Sequence, residues 1–379
     1  MSMLELITKA SATTDHPTSD SQHPLLLNPN PIFLTLKPQT TDQSFIQRVQ
    51  GWKISQTDAD IINSGQKFFK KLKIKLKNPN SFTKVDFISL LNSHLQHISQ
   101  ISRISIPGQP KNEDYTYTNL LIQNLGFLIG DNVLGLVLEA CLVFEIWEIL
   151  ETLIVSGLVD GCYNLVDNLI EKNRADLVCL CVKHVSNLKL SDVLSVLKYF
   201  LSSSKDAYSA MVGVRKEWER LALSAIETAM DKSVGEKKLT WAKDAAVMFT
   251  MAHDEFTSNE LCLHYLVSSP NMDDVMFSAC IGKLNGLEIM GFVRYLKKWL
   301  VKYQKFPQAS SSSKAFESVP SLENVTKCFG LVVDEHFSSL VMNPEFREEV
   351  GSIELVVNSL AAEARLCCNL ANLCAGLNH

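Results

Sequence analysis

From Thr57 onward the apolar residues recur every three or four positions and hardly ever alternate, a period that helices require and sheets do not tolerate. Val193, Leu194, Leu197, Phe200 and Leu201 follow i, i+1, i+4, i+7, i+8 along one face, behind Ser191 as a candidate cap. Thr257 or Ser258 opens Leu261, Leu263, Tyr265 and Leu266. Ser321 follows Pro320 and precedes Val325, Phe329, Val332, Val333, His336 and Phe337. The last helix carries Ile353, Val356, Val357, Leu360, Ala361, Ala364, Cys367, Cys368 and Ala371, a spacing that holds for about five turns. Ile32 to Leu36 is the one short stretch with a strand-like pattern.

Connections between these runs are short and contain Gly, Asn or Asp: Ser156-Gly157, Lys172-Asn173, Ser186-Asn187, Asn285-Gly286. Two are longer and predict mobile loops: Ser99 to Asn112 with Pro107-Gly108-Gln109-Pro110, and Phe306 to Val319 with the run Ser310 to Ser313. No exact repeat appears. Successive short helices with one apolar stripe each predict an all-α fold, an irregular α-solenoid of stacked helical hairpins with a disordered N-terminal arm. The expected organisation is a largely disordered arm over 1–56, punctuated by His16-Pro17, His23-Pro24, Asn28-Pro29 and Asn30-Pro31. A small helical segment with a basic stretch and a loop follows over 57–112, then a helical repeat-like domain over 113–305. A flexible serine-rich loop over 306–319 leads to a C-terminal helical hairpin over 320–379, packing on the preceding domain.

At 379 residues, 46% apolar and 20% charged, the chain has enough apolar surface for one large or two ordinary domains. A net charge of −5 is too mild for a polyanion as the main ligand. The ten cysteines fall mostly inside apolar helical runs, where they behave as small hydrophobes, and reduced thiols of the cytosol or nucleus are expected. Met1 to Lys9 lacks the basic start of a secretory signal. The most apolar region, Leu120 to Val159, is interrupted by Asp131, Glu139, Glu145, Glu148 and Glu151, which predicts buried helices and no membrane span.

Few residues form a pattern that carries chemistry. Cys179, Cys181 and His184 read Cys-x-Cys-x-x-His, but on a helix the two thiols lie about 200° apart and do not converge on zinc. His94 and His97 share a helix face without a carboxylate or cysteine pair, which predicts a polar outer face. Asp334, Glu335 and His336 match acid–base residues in type alone; His336 falls on the apolar stripe and predicts a hydrogen-bonded core or interface histidine. Gly126, Gly130 and Gly135 fit neither a Walker nor a dinucleotide spacing, and predict close packing or a helix break. Lys67, Lys70, Lys71, Lys73, Lys75 and Lys77 put six charges in eleven residues, interleaved with Phe68, Phe69, Leu72, Ile74 and Leu76. They form a candidate RNA or nuclear-import patch, weighed against a solvated helix face. From Asp131 to Asp176, nine acids stand against two bases, which suggests a surface for a basic partner.

The stretch from Leu284 to Glu349 holds two amphipathic helices around one low-complexity gap, with no residue arranged for catalysis. Tyr295-Leu296-Lys297-Lys298-Trp299-Leu300 with Tyr303, Val319-Pro320-Ser321-Leu322, Val333-Asp334-Glu335-His336-Phe337, Leu340-Val341-Met342 and Pro344-Glu345 resemble the helical C-terminal region of the nucleolar protein 11 family. A looser likeness covers Leu158-Val159, Leu169 to Lys172, Leu177 to Cys181, and Val193 to Leu201, so that together the resemblance spans roughly 140 to 360. It implies a nucleolar subunit of the small-subunit processome, in the early-binding module that acts in ribosomal RNA transcription and small-subunit RNA maturation. Members of that family begin with a β-propeller, for which this chain has neither the short, evenly spaced strands nor the room. The family has no catalytic residues to carry over.

The function expected is a non-enzymatic scaffold of the nucleolus that works through protein contacts. Partners are other processome subunits, with weak or indirect pre-rRNA contact; no cofactor, metal, membrane or small-molecule substrate is expected. Phe292, Trp299, Phe329 and Phe337 are the expected partner interface, since a few aromatic anchors carry most of the energy of such contacts. The alternative is a cytosolic helical-repeat adaptor in trafficking or ubiquitin transfer.

Overall fold

Polar caps decide where many of the helices begin. Thr83, Thr257 and Asn285 each accept a hydrogen bond from the backbone N–H three residues on. The acids there, Asp86, Glu260 and Glu288, accept from the cap's own N–H at 3.0, 2.7 and 2.8 Å. Each such box satisfies two donors that a helix start leaves open. Ser321 and Asp273 accept from Asn324 N–H and Met276 N–H, both at 3.1 Å.

The computed structural model describes residues 55–77, 82–107, 115–160, 164–201, 205–231, 236–307, 309 and 316–377. The expected arm over 1–56, except for Ser55 and Gln56, lies outside the described residues, as do the strand-like Ile32 to Leu36 and the run Ser310 to Ser313. Among the described residues the fold is all-α. In chain order the helices are α1 (Gln56–Leu76), α2 (Lys84–Ser102), α3 (Thr116–Leu125), α4 (Asp131–Val143) and α5 (Trp147–Val155). Then come α6 (Leu165–Glu171), α7 (Ala175–His184), α8 (Leu190–Leu201), α9 (Lys205–Met230) and α10 (Glu236–His253). The last are α11 (Ser258–Ser268), α12 (Asp274–Ile281), α13 (Gly286–Lys305), α14 (Leu322–Met342) and α15 (Pro344–Leu377).

Helices pack mainly on near neighbours in sequence, as stacked hairpins do. Helix α1 lies against α2 and α4, α3 against α5, α5 against α7, and α7 against α9 and α11. The stack continues through α8 on α11 and α12, α12 on α14, and α13 on both α14 and α15. One hydrophobic cluster runs from Phe68 on α1 to Ile353 on α15. Gly126 ends α3 against Leu158, whose side chain fills the space a Cβ would need, so close packing accounts for it. Gly157 turns the chain after α5 at φ +68°, a conformation that costs glycine little.

The helix holding Val193 starts one residue ahead of Ser191, at Leu190. Ser191 donates instead to Asp192 at 3.1 Å, and Asp192 accepts from Lys189 N–H at 3.4 Å. An acid in the first turn reaches back more favourably than the serine does.

Candidate interaction surfaces

Helix α13 is the hub of the C-terminal region. Phe292, Tyr295, Trp299 and Tyr303 form its buried face, and each is at most 1% exposed. Phe292 meets Phe277 edge-on at 6.1 Å, and Trp299 packs on Phe256 at 5.1 Å and Tyr303 at 5.7 Å. Trp299 donates its indole N–H to the Tyr295 hydroxyl at 3.1 Å, and that hydroxyl lies 2.9 Å from His264 Nδ1. His264 Nε2 donates to the Ala252 carbonyl at 2.9 Å. Burial pushes His264 down to about 3, so its ring is neutral and Nδ1 accepts from Tyr295.

This corrects the expected interface. Phe292 and Trp299 belong to the core of the stack, where Phe277 of α12 packs on Phe292, and Phe256 and, from α11, His264 pack on Trp299. Phe329 is half-buried against the same core. Phe337 alone of the four is open, at 62% exposed, because α14 breaks its helical geometry at His336 (φ −123°, ψ 19°) and the stripe turns away. His336 is held there by donating to the Ile281 carbonyl at 2.8 Å, and Glu335 accepts from the Ser278 hydroxyl.

Arg294, Lys297 and Lys298 of α13 are also spent internally. Glu349 on α15 accepts from Arg294 at 3.0 Å and Lys297 at 2.8 Å, which holds its carboxyl below the usual range. Lys298 pairs with Glu260 at 2.8 Å. Beyond this clamp α15 changes character. Phe346 and Ile353 are buried, but every residue from Ala362 to Leu370 is exposed. The helix has 34 residues, about 51 Å, so its second half runs clear of the stack.

Helix α15 carries a second apolar stripe that runs into its free half. Leu355, Ala362, Leu366 and Leu370 fall within about 80° of the helix circumference, flanked by Glu363 on one side and Arg365 on the other. Leu355, Leu366 and Leu370 are 74%, 62% and 60% exposed. Together with Phe337, Val341 and Met342 at the end of α14, they make the C-terminal hairpin rich in open apolar side chains. The signal was present in the sequence as leucines between the core positions of the last helix, opposite the stripe that packs.

The remaining candidates are accounted for singly. Cys179 and Cys181 are buried, and burial pushes both thiols up, Cys181 to about 12. Among the described residues no group of three or more His, Cys, Asp and Glu could hold a metal ion. Among them, too, no helix is long and apolar enough to cross a membrane. The acidic span 131–176 pairs part of its charge within the stack: Glu145 with Lys172 at 2.8 Å, Asp176 with Arg174 at 2.5 Å. Asp131 and Glu139 remain on a groove between α4 and α6.

His94 is buried on Phe68, ring to ring at 4.2 Å, whereas His97 is exposed. The six lysines spread around the outer side of α1, with Lys73 over the Phe69 ring at 5.5 Å and Lys75 over Phe82 at 4.8 Å. A scan of protein-family models, a search of curated proteins and a search of solved structures find no match to this chain.

Proposed function

We propose that this chain is a non-enzymatic scaffold subunit of the nucleolar small-subunit processome, supporting ribosomal RNA transcription and pre-rRNA processing through protein contacts. The observation that carries the scaffold reading is the free half of α15, an apolar stripe on a helix that leaves the stack with nothing over it among the described residues. Its geometry suits an amphipathic helix of another subunit, with leucine-type side chains along its seam. One line of bases on that helix would face Glu363 and one line of acids would face Arg365. Covering an exposed leucine contributes about 2 kcal/mol, which makes the leucines of this stripe the anchors of such a contact. The nucleolar part of the reading is supported by the likeness of residues 295–345 to the helical region of the nucleolar protein 11 family.

A tagged full-length chain purified from cells is expected to bring down small-subunit processing factors and to concentrate in nucleoli. A Leu366→Glu/Leu370→Glu variant is expected to lose those factors. Diffuse or vesicular signal, with trafficking or ubiquitin-transfer proteins recovered instead, would replace this reading by the cytosolic adaptor.

A further inference from the structure

The lysines of α1 are not equivalent. Lys70 faces a groove toward Ile129 and Asp131, while Lys73 and Lys75 lean on aromatic rings. Lys67 and Lys71, one turn apart, stand on the rim of a different groove, of about 600 Å³, between α1 and α2. Ser93 and His97 of α2 line its other side, and Leu90 and Ile101 supply apolar wall. Its floor is the stacked pair Phe68 and His94, which are 5% and 7% exposed, with Ser64 Oγ 3.5 Å from His94 Nδ1. Asp60 also lines the groove, but its carboxylate already accepts from Gln56 at 3.0 Å. None of the six lysines makes an ion pair among the described residues.

Two unpaired ammonium groups facing an imidazole across the groove suit a phosphodiester. Single strands present splayed bases that pack on apolar walls such as Leu90 and Ile101. We propose that the α1/α2 groove binds single-stranded RNA, with Lys67 and Lys71 on a backbone phosphate and His97 hydrogen-bonding to it. Naming RNA as the phosphate source rests on the nucleolar reading; binding by the purified chain succeeds or fails wherever the chain resides in cells. An import carrier is disfavoured because burial of Phe68 and Leu72 fixes the run as a helix and denies a carrier its extended backbone.

The test is fluorescence anisotropy of the full chain with a labelled single-stranded RNA of about ten nucleotides, across about 50 to 200 mM salt. Lys67→Glu/Lys71→Glu is expected to weaken binding at least about tenfold and to lower the log–log salt slope by about 1.4, two phosphate contacts' worth. Lys70→Glu/Lys77→Glu makes the same charge change away from the groove and is expected to weaken binding less than about threefold. All four lysines are exposed, so matching thermal unfolding is expected; Lys67→Gln/Lys71→Gln replaces the reversal if it unfolds α1. Equal losses in both double variants, or no loss in either, overturns the proposal. So does displacement of the RNA by inorganic phosphate at equal phosphate concentration. Unchanged RNA binding with lost nuclear accumulation would assign the run to an import carrier.

Discussion

Trp299, Tyr295 and His264 form a one-way chain of donors ending on the Ala252 carbonyl, so each hydroxyl and ring proton has one place to go. Such a chain specifies a unique core and punishes any break in it. Trp299→Ala is expected to cost about 3–5 kcal/mol in urea unfolding, a cavity plus the loss of one donor to the Tyr295 hydroxyl, and a loss under 1 would contradict the packing described. Leu366→Ala, at a comparably large but open position, is expected to stay within about 0.5 kcal/mol. That contrast explains what was legible at this scale. Phe292, Trp299 and Phe337 all sit on apolar stripes, and spacing says that a residue is covered without saying by what. Core or partner is decided by how many neighbouring helices close over the stripe, which is long-range information.

Helix α15 is two elements in one. Its first turns are stapled to the stack by Phe346, Ile353 and the Glu349 clamp; from Ala362 it depends on its own backbone. Ile353→Ala is expected to lower stability by about 2–4 kcal/mol. Leu366→Glu/Leu370→Glu is expected to leave the melting temperature unchanged while abolishing partner recovery. A drop in melting temperature from that double change would show the stripe to be core. The helix could be read from Ile353 through Ala371 but its length could not, since it runs from Pro344 to Leu377; of the two cap candidates Thr257 and Ser258 it is Thr257 that caps, and Ser321 caps α14. The kink at His336 could not, because it is enforced from outside α14, by the Ile281 carbonyl and Ser278.

Across the whole described stack, histidines held down by burial shape the response to acid, His94 and His264 most strongly and His184 in the same direction. Burial holds His94 down to about 4 and His264 to about 3, well below an exposed imidazole. The unfolded chain therefore takes up protons that the folded chain refuses once pH falls below about 6.5, and stability declines as pH drops. Each histidine contributes about 1.4 kcal/mol per pH unit until its own folded value is reached. Carboxylates such as Glu349, held low by their partners, add their loss only in the lower window where unfolded acids protonate. Urea unfolding at pH 7, 6 and 5 is expected to show this slope, and His94→Gln to reduce it; a flat profile above pH 5 would rule it out. The all-helical stack was legible from period and caps because packing here runs mostly between neighbours in sequence. The α1/α2 groove was not, since Lys67 and His97 meet only across two helices. One practical result follows from the open end of α15. Cys367 and Cys368 are the solvent-facing thiols among the described residues, the other six being sealed in the stack, and they stand behind the leucine seam. Maleimide dyes placed there would report the arrival of a binding helix by energy transfer without obstructing its seat.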